Sequence, residues 1–260
     1  MITFPPGVLA PEPVRLNILA RGTGWFAIDK PAGLLLAPDT LHPEDAPSIV
    51  GAIHAAATAG KPQLAALGIG GCARIHAMDA EISGVAVLAA DPDAAARMRA
   101  ALGSGRWHFH GELVAETVDG PGEFECDLPL VRHASQPRII VSHREGKRCR
   151  TAFTRLQSLG SHALWRAVTA ENRLNQIRVH AAESGLRIAG EALYGRVRAV
   201  YLSALKRRYR RGTEDERPLH AGVALHLHRI NFEDSAGPVE IESPRPKSLA
   251  ALVRRLAQRA

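Results

Sequence analysis

Arg74-Ile75-His76-Ala77-Met78-Asp79-Ala80-Glu81-Ile82-Ser83-Gly84-Val85-Ala86-Val87-Leu88-Ala89 sets a charged loop, with one acid at its centre, directly before an apolar run. Val85 to Ala90 has the length and β-branched content of a buried strand, and Ser83-Gly84 marks the turn into it. An acid at the mouth of such a strand suits chemistry, because the strand fixes it while the loop exposes it. Asp79 can equally cap a turn, as aspartate commonly does. Only the rest of the chain separates these two roles.

The chain has 260 residues, enough for one large domain or two small ones with an ample core. Its formal net charge of +7 favours a polyanionic partner, although charge alone supports nucleic acid only weakly. The cysteines, Cys72, Cys126 and Cys149, stand far apart without a C-x-x-C, which argues against a disulfide framework or a zinc site and for a reducing compartment. Residues 1–16 read as an extended Pro-rich lead without the apolar stretch of a signal peptide. No apolar segment approaches the length of a membrane span. The expectation is a soluble, cytoplasmic protein, with residues 17–260 as a single domain.

Outward from the opening stretch, Trp25 to Asp29 reads as a short strand broken by Lys30-Pro31-Ala32-Gly33. Glu44 to Ala59 has helical spacing, with Gly60 as its stop. Asp91-Pro92 opens a second helix that Ala94 to Leu102 carries and Gly103 ends. His108 to Val118, Pro137 to His143, Arg150 to Leu159 and His162 to Thr169 are strand-like, with glycine-rich turns between them. A helix follows from about Leu174 to Ser184. A last strand covers Val223 to Glu233, and Lys247 to Arg259 forms an amphipathic helix with Leu249, Leu252, Val253 and Leu256 on one side. Runs of strands with few helices predict an α+β fold whose mixed sheet is largely antiparallel.

Asn172-Arg173-Leu174-Asn175-Gln176-Ile177-Arg178-Val179-His180 is a second candidate site. It reads either as a surface helix with solvated Arg and Gln, or as a helix from which Arg178 meets a buried acid and keeps it ionised. Lys206-Arg207-Arg208-Tyr209-Arg210-Arg211 is either a solvated loop or a phosphate-gripping one with Tyr209 available to stack. His226 and His228 sit two apart on a strand and so face one way, but no further ligand has suitable spacing, and no metal is expected.

These segments together resemble the RluA-like family of RNA pseudouridine synthases. Lys30-Pro31-Ala32-Gly33 resembles its K-P-x-G turn, and His76 to Gly84 resembles its H-R-L-D-x-x-T-S-G loop. Gly146-Lys147 with Thr151 resembles G-K-x-A-x-T. Gln176 to His180 and Gly190-Glu191-Ala192-Leu193-Tyr194-Gly195 resemble H-Q-I-R-V-H and G-D-x-x-Y-G. Leu219-His220-Ala221 resembles a late L-H-A strand start.

The resemblance implies a cofactor-free reaction on RNA, in which the C1′–N1 bond of a uridine breaks and the uracil rejoins through C5. Asp79 becomes the catalytic carboxylate and Arg178 its cationic partner. His76, Ile177, Arg74, Lys30, Arg173 and Gln176, with the basic run at 206–211, become candidate substrate or RNA contacts. The family's strand K-x-Y-x-A-L-V aligns with His108 to Val114 and puts His110 at the active-site tyrosine. The arginine beside the family's loop histidine is Ala77 here, and its threonine is Ile82. The resemblance therefore implies a monomeric pseudouridine synthase for ribosomal or transfer RNA. A degenerate RNA-binding paralogue is the alternative. A glycosidic-bond hydrolase using Asp79 with Glu81 or His110 is a weaker one.

Overall fold

The computed structural model of the chain describes residues 1–116, 120–205 and 215–258. In chain order its strands and helices are β1 (Ile2–Phe4), β2 (Val14–Gly22), β3 (Trp25–Lys30), α1 (Ile49–Thr58), α2 (Pro62–Ala65), β4 (Ala73–Arg74), β5 (Ser83–Ala89) and α3 (Pro92–Gly103). There follow β6 (His108–Glu116), β7 (Glu123–Cys126), β8 (Leu130–Arg132), β9 (Ile139–Val141), β10 (Thr151–Leu159), β11 (His162–Thr169) and α4 (Gln176–Glu183). The chain continues through α5 (Leu202–Leu205), β12 (Leu225–Asp234), β13 (Gly237–Glu242) and α6 (Lys247–Ala257). The basic run at 206–211 lies outside the described residues.

Eleven of these strands form one sheet, in the order β1-β2-β3-β5-β12-β6-β11-β10-β7, with β4 beside β5 and β13 beside β12. Its pairings are antiparallel except that of β5 with β12, so the α+β expectation holds. β8 and β9 make a separate hairpin. Every residue of β5 is buried, as its unbroken apolar run requires of a strand covered on both faces. Asp91 accepts from the Ala94 N–H at 2.7 Å, the N-cap its sequence position predicts for α3. Among the described residues no helix is long and apolar enough to cross a membrane.

The structure departs from several sequence expectations. Part of the extended Pro-rich lead joins the sheet, which its sequence did not signal: Ile2 and Phe4 are buried, and β1 pairs with β2. Val223 to Glu233 is not the last strand, because β13 folds back onto β12. Leu219-His220-Ala221 lies in a turn rather than at a strand start; β12 begins with Leu225-His226-Leu227, which repeats the Leu-His-apolar pattern. His226 and His228 do not form a simple alternating pair, since the register shifts between Leu227 and Arg229. His226 is fully buried between the Ser83 hydroxyl and the Ser243 carbonyl.

The parallel join of β5 to β12 fixes the mouth of the opening loop. There His226 stands beside Ser83 and Leu227 beside Gly84. Gly84 has φ +132°, and a Cβ there would come within 2.1 Å of the Leu227 carbonyl oxygen. Only glycine allows the strands to meet so closely at that point, five residues after Asp79.

Candidate active site

Asp79 lies in the irregular segment between β4 and β5 and is 7% exposed. Backbone and side-chain anchors hold that segment from both sides. Lys30 is fully buried, and its ammonium donates to the carbonyls of Pro31 at 3.0 Å, Leu34 at 2.8 Å and Ala80 at 3.2 Å. The Gly33 N–H reaches the same Ala80 carbonyl at 2.7 Å. The K-P-x-G turn thus clamps the residue after Asp79. Burial pushes the Lys30 pKa down to about 7, against the pull of Asp79 and Glu81. On the other side, His76 accepts from the Val87 N–H through Nε2, so its proton sits on Nδ1, facing the Ala77 carbonyl at 2.9 Å. Burial holds its pKa down at about 4. Asn172 donates to that carbonyl at 2.7 Å.

The second segment approaches from α4. Asn175 stands just before the helix in the left-handed region, φ 55°, which Asn tolerates better than most residues. In that conformation its N–H donates to Asp79 Oδ1 at 2.7 Å. Its Oδ1 accepts from Arg178 at 3.0 Å, and its Nδ2 donates to the Tyr194 hydroxyl at 2.8 Å. One residue therefore ties together the acid, the cation and an aromatic wall.

Arg178 is 2% exposed, so the solvated-helix reading fails. Its strongest partner is Glu191, which it engages in a fork, Nε to Oε2 at 2.6 Å and Nη2 to Oε1 at 3.1 Å. Nη1 reaches Glu81 at 2.9 Å and Asp79 at 3.7 Å. The latter is an ion-pair separation rather than a hydrogen bond. Burial works against the guanidinium charge, but the hydrogen bond to Glu191 and the three carboxylates hold its pKa above the usual value. Burial pushes the Asp79 carboxyl up to about 6, against Arg178, the Asn175 N–H and Lys30, while Glu81 adds to the push. At neutral pH Asp79 is mostly ionised yet still basic, which suits a nucleophile or a base.

Several sequence-assigned contacts serve the scaffold instead. Gln176 is buried and donates to Thr169 Oγ1 at 2.7 Å and the Arg150 carbonyl at 3.1 Å. Ile177 is buried, with its Cδ1 3.2 Å from where a Cβ on Gly111 would stand. Lys30 and His76 are loop braces, as described. His110 requires a correction. Along β6, Phe109 and Gly111 turn toward the α4 side, where Phe109 packs on the His76 ring at 5.0 Å. His110 points the other way, beside His228 at 6.2 Å. Burial, with Arg229, His228, His108 and Arg166 around it, holds its pKa down at about 4. The ring turned toward the loop is therefore Phe109, which has no hydroxyl.

Sequence reasoning passed over Asn175 and Glu191 as site residues. The signals available were an Asn directly before a helix and an acid inside the Gly190-to-Gly195 match. Asp79 and Glu81 open on a small cavity of about 90 Å³, walled by Leu41, Pro137, Leu174 and Leu193. Leu174 also borders a larger cavity of about 490 Å³ that contains Arg74, Ala77 and Arg173. Arg74 and Arg173 are thus brought beside the Asp79 loop.

No family model matches the chain. It is 27% identical over 257 residues to ribosomal large subunit pseudouridine synthase D of Xanthomonas campestris pv. campestris, covering 96% of this chain and 72% of that protein. The same enzyme of Xylella fastidiosa is 28% identical over 256 residues, covering 95% and 71%. Among solved structures, human RNA pseudouridylate synthase domain containing 4 superposes with a TM-score of 0.68 at 19% identity, covering 92% of each chain. Human RNA pseudouridylate synthase domain containing 1 gives 0.61 at 16%, covering 89% of this chain and 84% of that one.

Proposed function

We propose that this chain, which belongs to the RluA-like family of RNA pseudouridine synthases, isomerises uridine to pseudouridine in structured ribosomal or transfer RNA. The observation that carries the reading is Asp79: a buried carboxylate with one oxygen fixed by the Asn175 N–H and the other 3.7 Å from Arg178. The reaction breaks the C1′–N1 bond and makes a C1′–C5 bond. C5 gives up a proton and N1 gains one, so no oxidant or reductant is consumed. Asp79, ionised, acts on the ribose, either by attack at the sugar or by taking its 2′ proton. Holding that carboxylate in one orientation lowers the entropic part of the barrier, which is the contribution expected of Asn175 and Arg178. The base must leave its stack to reach a buried acid, and there it would meet the apolar side chains of Leu41, Leu174 and Leu193. The catalytic domain proposed runs over residues 17–260, with the lead docked on it through β1, and works as a cytoplasmic monomer.

Cells lacking the chain are expected to lose pseudouridine at one or a few positions of ribosomal or transfer RNA, and to regain it on re-expression. An unchanged pseudouridine map refutes the proposal. A second reading, an RNA-binding paralogue without catalysis, is favoured by Ala77 and Phe109, which leave the loop without the guanidinium and hydroxyl its relatives' motifs carry. RNA binding by a protein that forms no pseudouridine supports that reading.

A further inference from the structure

The 490 Å³ cavity beside the Asp79 loop has a mixed character that the isomerisation alone does not use. Its walls include the apolar side chains of Ile75, Ala77, Leu130, Ile139 and Leu174. Among the described residues its cations are Arg74, Arg132, Lys147 and Arg173, against one acid, Glu171. Arg132 and Lys147 are exposed, while Arg74 and Arg173 are half-buried. Arg173 donates from Nη2 to the Arg148 carbonyl at 3.3 Å, which holds its guanidinium at this wall. Apolar walls under a cationic rim match a nucleotide, whose flat base seeks apolar contact while its phosphates seek cations. The small side chain of Ala77 leaves this space open at the loop itself.

We propose that this cavity is a second nucleotide subsite, which takes an unstacked base adjacent in sequence to the target uridine while the four cations hold its flanking phosphates. The proposal rests on the pseudouridine-synthase reading for the identity of the target uridine, and deepens it by naming what binds beside it. Leu174 forms a wall of both cavities, so the two pockets are neighbours. The hairpin of β8 and β9 contributes Leu130, Val131, Arg132 and Ile139, which makes it the outer jaw of the subsite.

The test is a double-mutant cycle between base and cavity. Single-stranded RNA heptamers with a central uridine are prepared with one abasic site, moved through the flanking positions. Their affinities are measured for the unaltered protein and for Ala77→Trp, which fills the cavity. Val131→Trp fills it from the hairpin side and serves if Ala77→Trp does not fold. At one flanking position, deletion of the base is expected to weaken binding to the unaltered protein about tenfold, within the usual worth of one stacked base. The same deletion should have almost no effect on the filled variants, because the pocket is already lost. Equal losses in all proteins, or no position that matters, overturn the subsite. Whether the unaltered protein forms pseudouridine is scored separately on total cellular RNA. Coupling without isomerisation keeps the subsite and rejects the catalytic reading, and isomerisation without coupling does the reverse.

Discussion

Glu81→Gln should move the acid limb of the pH–rate profile downward. Glu81 is 43% exposed and contacts Arg178 Nη1 at 2.9 Å, while Asp79 lies 3.7 Å from the same nitrogen. The two carboxylates are therefore within about 6.6 Å of each other, the sum of those separations. Their repulsion at that distance is about 0.6 kcal/mol with water-like screening and about 1.3 kcal/mol with half of it, a range set by the exposure of Glu81. At 1.36 kcal/mol per pH unit, removing the Glu81 charge lowers the Asp79 pKa by about 0.5 to 1. Freeing Nη1 to turn toward Asp79 acts in the same direction. If the rate follows ionised Asp79, whose pKa is about 6, the limb should fall to between about 5 and 5.5. The assay is single-turnover isomerisation from pH 4.5 to 8.5, each protein normalised to its own plateau. At pH 5.5 the variant should run roughly two- to threefold higher on that scale. A limb that stays in place, or rises, refutes the electrostatic coupling.

Other perturbations give separate readouts. Asp79→Asn should stabilise the protein above pH 6: with a folded pKa near 6 against an ordinary value of 3.8 in the unfolded chain, the native state binds more protons than the unfolded one between those values, so its stability falls as pH rises through that window. Urea midpoints should therefore favour the variant by up to about 3 kcal/mol at pH 7.5, with the gap closing toward pH 4; a variant less stable at pH 7.5 contradicts the shift. Glu191→Gln breaks a buried ion pair and should lower unfolding free energy by about 3 kcal/mol or more, with loss of isomerisation even at temperatures where it stays folded. Lys30→Met should destabilise by stranding three carbonyls, yet leave the salt dependence of RNA binding unchanged, whereas Arg132→Ala should reduce that slope by about one counterion. A changed slope for Lys30→Met would return it to the RNA surface.

The fold was legible wherever local chemistry agreed with tertiary packing. The all-apolar β5, the Asp91-Pro92 start of α3 and the stripe on α6 carry their own signals. Ile2 to Phe4 did not, because three residues in a proline-rich segment have no periodicity to read, and their burial depends on β2 arriving beside them. His110 illustrates a different limit. A one-residue change in strand alignment exchanges the two faces, and it takes the contact of Phe109 with the His76 ring and of Gly111 with Ile177 to show that Phe109 faces the loop. Lys30 and Gln176 look like RNA contacts in a basic chain, since sequence cannot distinguish a lysine with three internal carbonyls from one in solvent. Asp79 and Arg178 were readable as a pair. Glu191, which holds the arginine more tightly than Asp79 does, lies 13 residues beyond it and becomes its partner only through the turn that follows α4.

The central claim is that the carboxylate of Asp79 drives the isomerisation. The most direct measurement is tritium release from RNA labelled at uracil C5, comparing the unaltered protein with Asp79→Asn on the same cellular RNA. The unaltered protein should release tritium in step with pseudouridine formation, while Asp79→Asn, folded and still able to bind RNA, should release none above background. Equal release by both proteins, or none by either, would contradict it.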